Sequence, residues 1–196
     1  LEPAAWIPIR IADRVVLAGD AFQLPPTVKN DKALKAGLCV SLLEKAIDRD
    51  RNVHLLDTQY RMHADIMAFP NRTFYSDELL AATDVAGRTL GDLPPLTFVD
   101  TAGRGWDEER SAPEADTTGR SHASIRNPEE ANFTVDRVRE LLAAHPEATL
   151  GVIAPYRAQV TLLEDLLHAE AAGSNGRLTI QTVDGFQGQE RDIMVI

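Results

Sequence analysis

Short apolar runs rich in β-branched residues punctuate the chain, each bounded by glycine, proline or charge. They occur at 14–18 (Arg-Val-Val-Leu-Ala), 53–56 (Val-His-Leu-Leu), 96–99 (Leu-Thr-Phe-Val), 150–154 (Leu-Gly-Val-Ile-Ala), 178–183 and 192–196. Their length and composition predict strands, and those at 14–18, 150–154, 178–183 and 192–196 are apolar enough to be buried. Between them lie stretches with helical spacing. One is 38–47, with Leu38, Leu42, Leu43, Ala46 and Ile47 facing a core and Ser41 able to cap the helix or continue it. A second is 64–75, ending in Phe74 and Tyr75. A third opens at Asn127-Pro128-Glu129-Glu130, where Asn127 can cap, Pro128 suits the first turn and Glu130 can complete a capping box. Its stripe is Ala131, Val135, Val138 and Leu142, and it ends near His145-Pro146. A fourth carries Val160, Leu163, Leu166 and Leu167, and Gly173-Ser174-Asn175-Gly176 then signals a turn. Alternating strands and helices predict an α/β fold with a parallel sheet.

Polar residues gather where expected strands end, which is where open α/β sheets bind ligands. Gly19 to Pro26 follows the first run and places Gln23 there, with Leu24-Pro25-Pro26 stiffening the exit. Gln59-Tyr60-Arg61-Met62-His63 follows the second. The guanidinium of Arg61 is a fixed fork that suits phosphate oxygens, although a structural ion pair is the ordinary role of an arginine. The ring of Tyr60 offers a face for a base. His63 reads as a structural hydrogen-bonder, and no cysteine or carboxylate pattern around it suggests a metal site. Pro155-Tyr156-Arg157-Ala158-Gln159 joins a strand to a helix whose first amides favour phosphate. Thr182-Val183-Asp184-Gly185-Phe186-Gln187-Gly188-Gln189-Glu190 joins the last two runs with two glycines that let backbone approach a ligand. Each of these, alone, is also compatible with a plain structural role: a surface loop for Gly19 to Pro26 and Thr182 to Glu190, an ion pair for Arg61, and an ordinary strand-helix junction for Pro155 to Gln159.

The aromatic end of 64–75 is read as core packing rather than base stacking. Residues 76–127 are the least patterned, and 111–124 are expected to be mobile. Asp107-Glu108-Glu109 follows Gly-Arg-Gly-Trp rather than an apolar strand, so it is read as a solvated loop and not as a magnesium-binding carboxylate pair.

Composition narrows the class. The 196 residues are 44% hydrophobic and 26% charged, ordinary for a globular protein able to bury a sizeable core. No apolar run reaches membrane-spanning length, and the N-terminal residues lack the basic region of a signal peptide. The single cysteine, Cys39, fits a buried small side chain in an intracellular, cytoplasmic protein. A net charge of −10 argues against a protein that coats phosphates with lysine and arginine. A groove built from amides and a few polar side chains remains compatible with it.

Taken together in this order and spacing, the four polar segments resemble motifs III, IV, IVa and V of superfamily 1 helicases. The resemblance is to the subgroup of the nonsense-mediated-decay RNA helicase and the immunoglobulin-mu-binding helicase, closest to the latter's bacterial relatives, and it covers nearly all of the chain. It implies a RecA-like α/β fold of the P-loop NTPase type. It also implies that ATP is the cofactor, that single-stranded DNA or RNA is the partner, and that movement is 5′ to 3′. Gln23 would be the motif III glutamine that senses the γ-phosphate, and Arg61 the arginine finger. Tyr60 would stack on adenine, Gly188 would form a nucleotide-facing turn, and Glu190 would accept from the ribose hydroxyl. Pro155, Tyr156 and Thr182 would lie along the single strand. Asp184 and Gln187 match the subgroup, whereas the arginine that commonly precedes the glutamate is Gln189 here.

Residues 1–50 are accordingly expected to be the tail of a first RecA-like lobe and 53–196 most of a second, with the charged connector 48–52 between them. The chain contains no Gly-Lys dipeptide and no strand followed by Asp-Glu. The phosphate loop and the magnesium carboxylate are therefore expected before Leu1, and motif VI beyond Ile196. Magnesium would be held by those upstream motifs, and the remainder of the first lobe would be a structural partner. Two alternatives stay open at this stage. One is a nucleic-acid-dependent ATPase that remodels complexes without unwinding, and the other a non-enzymatic α/β scaffold.

Overall fold

The computed structural model describes residues 2–28, 30–49, 52–111, 114–115 and 121–196. The chain divides into two compact units, residues 1–88 and 89–196.

The first unit contains α1 (Glu2–Ile9), α2 (Asp31–Lys35), α3 (Leu42–Ile47), β1 (Thr58–Gln59), α4 (Ala64–Phe74) and β2 (Leu80–Ala81). Side chains close the helix starts. Asn30 accepts from the amides of Lys32 and Ala33, each at 3.0 Å. Ser41 caps α3 in a reciprocal box, its hydroxyl accepting from the Glu44 amide while the Glu44 carboxylate accepts from the Ser41 amide. Leu38 thus lies outside the helix, and no residue of α3 is fully buried. In α4 only Met67 and Asn71 are buried. The Asn71 amide donates to Leu79 O at 3.0 Å and accepts from Leu79 N at 2.8 Å. Those bonds close the reversal made by Ser76 and Asp77, whose φ values are 54° and 61°. The reversal brings β2 back parallel to β1, with Thr58 opposite Leu80.

Two expected strands do not form in this unit. Residues 14–18 and 53–56 are irregular, with Val16 92% and Leu56 90% exposed. A strand exists only against a hydrogen-bonded neighbour, and among the described residues neither run has one. The strand after the second run comes later, at Thr58.

The second unit begins with two short antiparallel pairings. β3 (Glu109–Arg110) pairs with β6 (Ile125–Arg126), and β4 (Glu114–Ala115) pairs with β5 (Ser121–His122). The sequence pattern had not indicated them. Much of the segment expected to be mobile, 112–113 and 116–120, lies outside the described residues. The run 96–99 forms no strand, and Phe98 is largely exposed. Asp107 and Glu108 are exposed, and Glu109 pairs with Arg126 at 2.7 Å.

The core follows in α5 (Pro128–Ala144), β7 (Leu150–Ala154), α6 (Arg157–Leu166), α7 (His168–Gly173), β8 (Leu178–Thr182), α8 (Val183–Phe186) and β9 (Ile193–Val195). The sheet order is β8-β7-β9 and both pairings are parallel, as the apolar runs predict. Leu150, Val152 and Ala154 of the central strand pack with Val138 of α5 and with Val160 and Leu163 of α6. The α5 stripe continues through Leu141, with Leu142 only partly buried. Asn127 caps α5 by accepting from the Glu130 amide at 3.0 Å. Glu130 does not complete the box: its carboxylate accepts from the Thr101 hydroxyl, and the Asn127 amide donates instead to Gln159 Oε1 at 2.8 Å. The opposite face of the sheet carries Gly151, where a Cβ would stand 2.8 Å from Phe186 Cζ and 2.9 Å from Met194 Sδ. Glycine there lets the Phe186 ring seat directly on the strand. The result is the expected α/β, RecA-like arrangement of parallel sheet and flanking helices. Among the described residues no helix is long and apolar enough to cross a membrane.

Candidate functional site

In the first unit Gln23 lies in a turn organised by Asp20. The Asp20 carboxylate accepts from the Phe22 amide and from Gln23 Nε2, each at 3.0 Å, and from the Tyr75 hydroxyl at 2.5 Å. Partial burial pushes this carboxyl upward. The hydrogen bonds from Tyr75, Phe22 and Gln23 outweigh that and hold it below its ordinary value. The same contact, seen from Tyr75, combines burial with donation to a carboxylate and pushes the phenol up to about 12.

The loop before α4 is built by Gln59. Its Oε1 accepts from the amides of Arg61 (2.8 Å) and Met62 (2.9 Å), and its Nε2 donates to Met62 O at 2.7 Å. This fold-back fixes the backbone of 59–62 and leaves Tyr60 69% exposed beside an exposed Arg61. Arg88 Nη2 donates to the Arg61 carbonyl at 3.0 Å. His63 caps α4 through Nδ1, which accepts from Asp65 N at 3.0 Å, the structural role expected of it. The Gln23 turn is tied to the C-terminal end of α4, whereas Arg61 precedes its N-terminal end.

In the second unit Ala154 and Thr182 are register partners, so β7 and β8 end level. Pro155, Tyr156 and Thr182 therefore share one edge of the sheet, and Pro155 and Tyr156 are exposed. Gln159 sets the start of α6 by exchanging two hydrogen bonds with the Asn127 backbone, and Ser124 Oγ accepts from the Ala158 amide at 3.1 Å. One of the amides expected to meet phosphate is thus already occupied. Thr182 caps α8 by accepting from Gly185 N at 3.2 Å. Gly188 turns with φ 81°, a left-handed conformation that suits glycine, and has open space where a Cβ would stand. Glu190 is exposed, three residues before Ile193, which pairs with Leu150 at the other end of β7. Arg191 braces this turn from below: it donates to Glu190 O, Gln189 Oε1 and Thr179 Oγ1, and its guanidinium lies 5.4 Å from the Phe186 ring centre. Gln189 Nε2 closes the turn on Gly185 O at 3.0 Å.

In the first unit, an exposed aromatic ring next to an arginine has chemistry suited to a base and a phosphate; in the second, an open glycine turn followed by a carboxylate has chemistry suited to a hydroxyl-bearing ligand. For magnesium there is no such fit: no three His, Cys, Asp or Glu among the described residues are grouped to hold a metal ion. Sequence reasoning missed the supporting residues. Gln59, Gln159 and Asp20 stood inside the motif strings without assigned roles. Tyr75 carried no local signal, since its partner lies 55 positions away.

Parallel sheet, flanking helices and polar loops at strand ends are the marks of an AAA-type α/β domain. Family models described as AAA domains match residues 1–31 and 38–196, and the chain belongs to that family, among the superfamily 1 helicases. Over its whole length it is 37% identical to the DNA-binding protein SMUBP-2 of Mesocricetus auratus. It is 36% identical to the DNA polymerase alpha-associated DNA helicase A of Saccharomyces cerevisiae and 34% identical to an uncharacterized ATP-dependent helicase of Methanocaldococcus jannaschii. It spans 20%, 31% and 29% of those relatives respectively.

Proposed function

We propose that this chain is part of a cytoplasmic ATP-dependent helicase or translocase of the immunoglobulin-mu-binding subgroup, moving 5′ to 3′ on single-stranded DNA or RNA. The observation that carries the reading is the match of the entire chain to proteins named as helicases. Residues 1–50 would close a first lobe, and 53–196 would form most of a second. Arg61 would meet the charge that develops on the transferred phosphoryl, with Gln23 sensing the same group and Tyr60 holding the base. Gly188 and Glu190 would hold the ribose side of the nucleotide. Pro155, Tyr156 and Thr182 would contact the strand from the shared sheet edge. The phosphate loop and magnesium ligands would come from outside this chain. Strand displacement by the full-length protein should proceed on duplexes with a 5′ tail and fail on those with a 3′ tail. Displacement of neither, with ATPase activity intact, would replace unwinding by remodelling or translocation.

Purified 1–196 is expected to show no ATP hydrolysis, with or without single strands, because it carries neither a phosphate-loop lysine nor a magnesium carboxylate. Turnover stimulated by single strands in this preparation would remove the reading.

Glu190→Gln in the full-length protein should raise the Michaelis constant for ATP more than it lowers turnover. A ribose contact is made equally in the ground and transition states, so its loss weakens binding rather than chemistry. Steady-state kinetics showing a large fall in turnover at an unchanged Michaelis constant would rule out the ribose role.

A further inference from the structure

One oxygen, Asp20 Oδ2, receives donors from two distant parts of the chain: Gln23 Nε2 at 3.0 Å and the Tyr75 hydroxyl at 2.5 Å. Tyr75 stands at the C-cap of α4. The Phe22 ring meets it edge-on at 5.2 Å between centroids and lies 6.2 Å from Phe74. The helix capped by Tyr75 starts directly after the loop that carries Tyr60 and Arg61. A single carboxylate therefore holds both the Gln23 side chain and the far end of that helix.

From this geometry we infer that Tyr75 is a positioning residue: through Asp20 it orients Gln23 and joins the Gln23 turn to the helix that follows Arg61. The inference rests on the functional reading given above for Gln23 and Arg61. Both partners lie in the compact unit 1–88, so the bond braces the Gln23 turn against α4. Gln23 is exposed, and its amide can exchange the carboxylate for a phosphate oxygen, an acceptor of the same charge type. When it does so, Oδ2 keeps Tyr75 and the turn stays docked on α4. Without the Tyr75 hydroxyl, Asp20 is held only within its own turn, and the orientation of Gln23 no longer depends on the helix.

Tyr75→Phe in the full-length protein separates the hydroxyl from the ring, which keeps its contact with Phe22. The thermal transition should be retained, and single-strand-stimulated turnover should fall about tenfold, a factor typical of losing one hydrogen bond to a charged group. The Michaelis constant for ATP should change less than about twofold, since an orientation acting on turnover leaves ground-state binding alone. Gln23→Ala should lower turnover at least as far, and the double variant should be no slower than Gln23→Ala, because both changes act through one group. Wild-type turnover in Tyr75→Phe, additive losses in the double variant, or loss of the thermal transition would each overturn the inference. Wild-type turnover in Gln23→Ala would instead overturn the functional reading of Gln23 itself, however Tyr75→Phe behaves.

Discussion

Replacing Arg61 by alanine in the full-length protein should nearly abolish nucleic-acid-stimulated ATP hydrolysis while leaving single-strand binding in place. The charge that develops in phosphoryl transfer spreads over equatorial oxygens, and a guanidinium fork meets several of them at once. Arginine fingers are worth about 10³–10⁵ in rate, or roughly 4–7 kcal/mol. The structure makes the test clean at the level of the backbone. Gln59 holds the Arg61 amide at 2.8 Å and Arg88 holds its carbonyl at 3.0 Å, and neither contact needs the Arg61 side chain. Arg61→Lys should recover little, because a point charge does not reproduce the fork. The measurement is steady-state ATPase at saturating single strand, beside an anisotropy titration of the same preparation. Retention of more than about a tenth of wild-type turnover is incompatible with a finger, whose minimum is about 10³-fold. Joint loss of hydrolysis, binding and the thermal transition would make Arg61 a structural residue.

The largest stability effect is expected at Leu150→Ala. Leu150 is fully buried at the start of the central strand, between Leu178 and Ile193 in register. Truncating a buried leucine costs about 2–5 kcal/mol, the upper part applying where the surroundings cannot relax. Relaxation is limited here because β7 is hydrogen-bonded on both sides. For a unit of this size each kcal/mol lowers the midpoint by about 4–8 °C, so a drop of roughly 10 °C or more should appear by calorimetry. Protection of the amides of 150–154 against hydrogen exchange should fall in parallel. A change below about 1 kcal/mol would mean that this side chain is not in a packed core.

The second unit was the legible half. The β-branched runs at 150–154 and 178–183 and the stripe through Ala131, Val135 and Val138 each satisfy a periodicity that only one secondary structure can bury, and the structure follows them. The runs at 14–18, 53–56 and 96–99 have the same composition and form no strand. Composition states that a run can join a sheet, but a neighbour must be present, and among the described residues none pairs with them. The Asn127 cap shows the same division at finer scale. That Asn127 would accept from Glu130 N was local and readable. That Gln159 would take the second half of the box depended on a helix more than thirty residues on. Motif strings located the candidate site residues because those strings are contiguous. Their supports, such as Tyr75 on Asp20, come from fold-dependent contacts that no window of sequence contains.

The segment between Thr182 and Ile193 has a mechanical property that follows from the register. Its two ends are anchored on strands flanking β7, at opposite ends of that strand. The anchors are roughly 16 Å apart, given about 3.3 Å per residue along a strand and about 4.8 Å between strands. The segment itself, about ten residues, could extend to roughly 33 Å. It therefore holds about twice the chain it needs. Phe186, seated on Gly151, takes up part of that slack and separates a front held on the sheet from a rear, carrying Gly188 and Glu190, that is held by the Gln189 and Arg191 side chains. The rear is fastened by side-chain hydrogen bonds rather than by the strand ladder, so the shape of the glycine turn is set separately from the pairing of β7, β8 and β9.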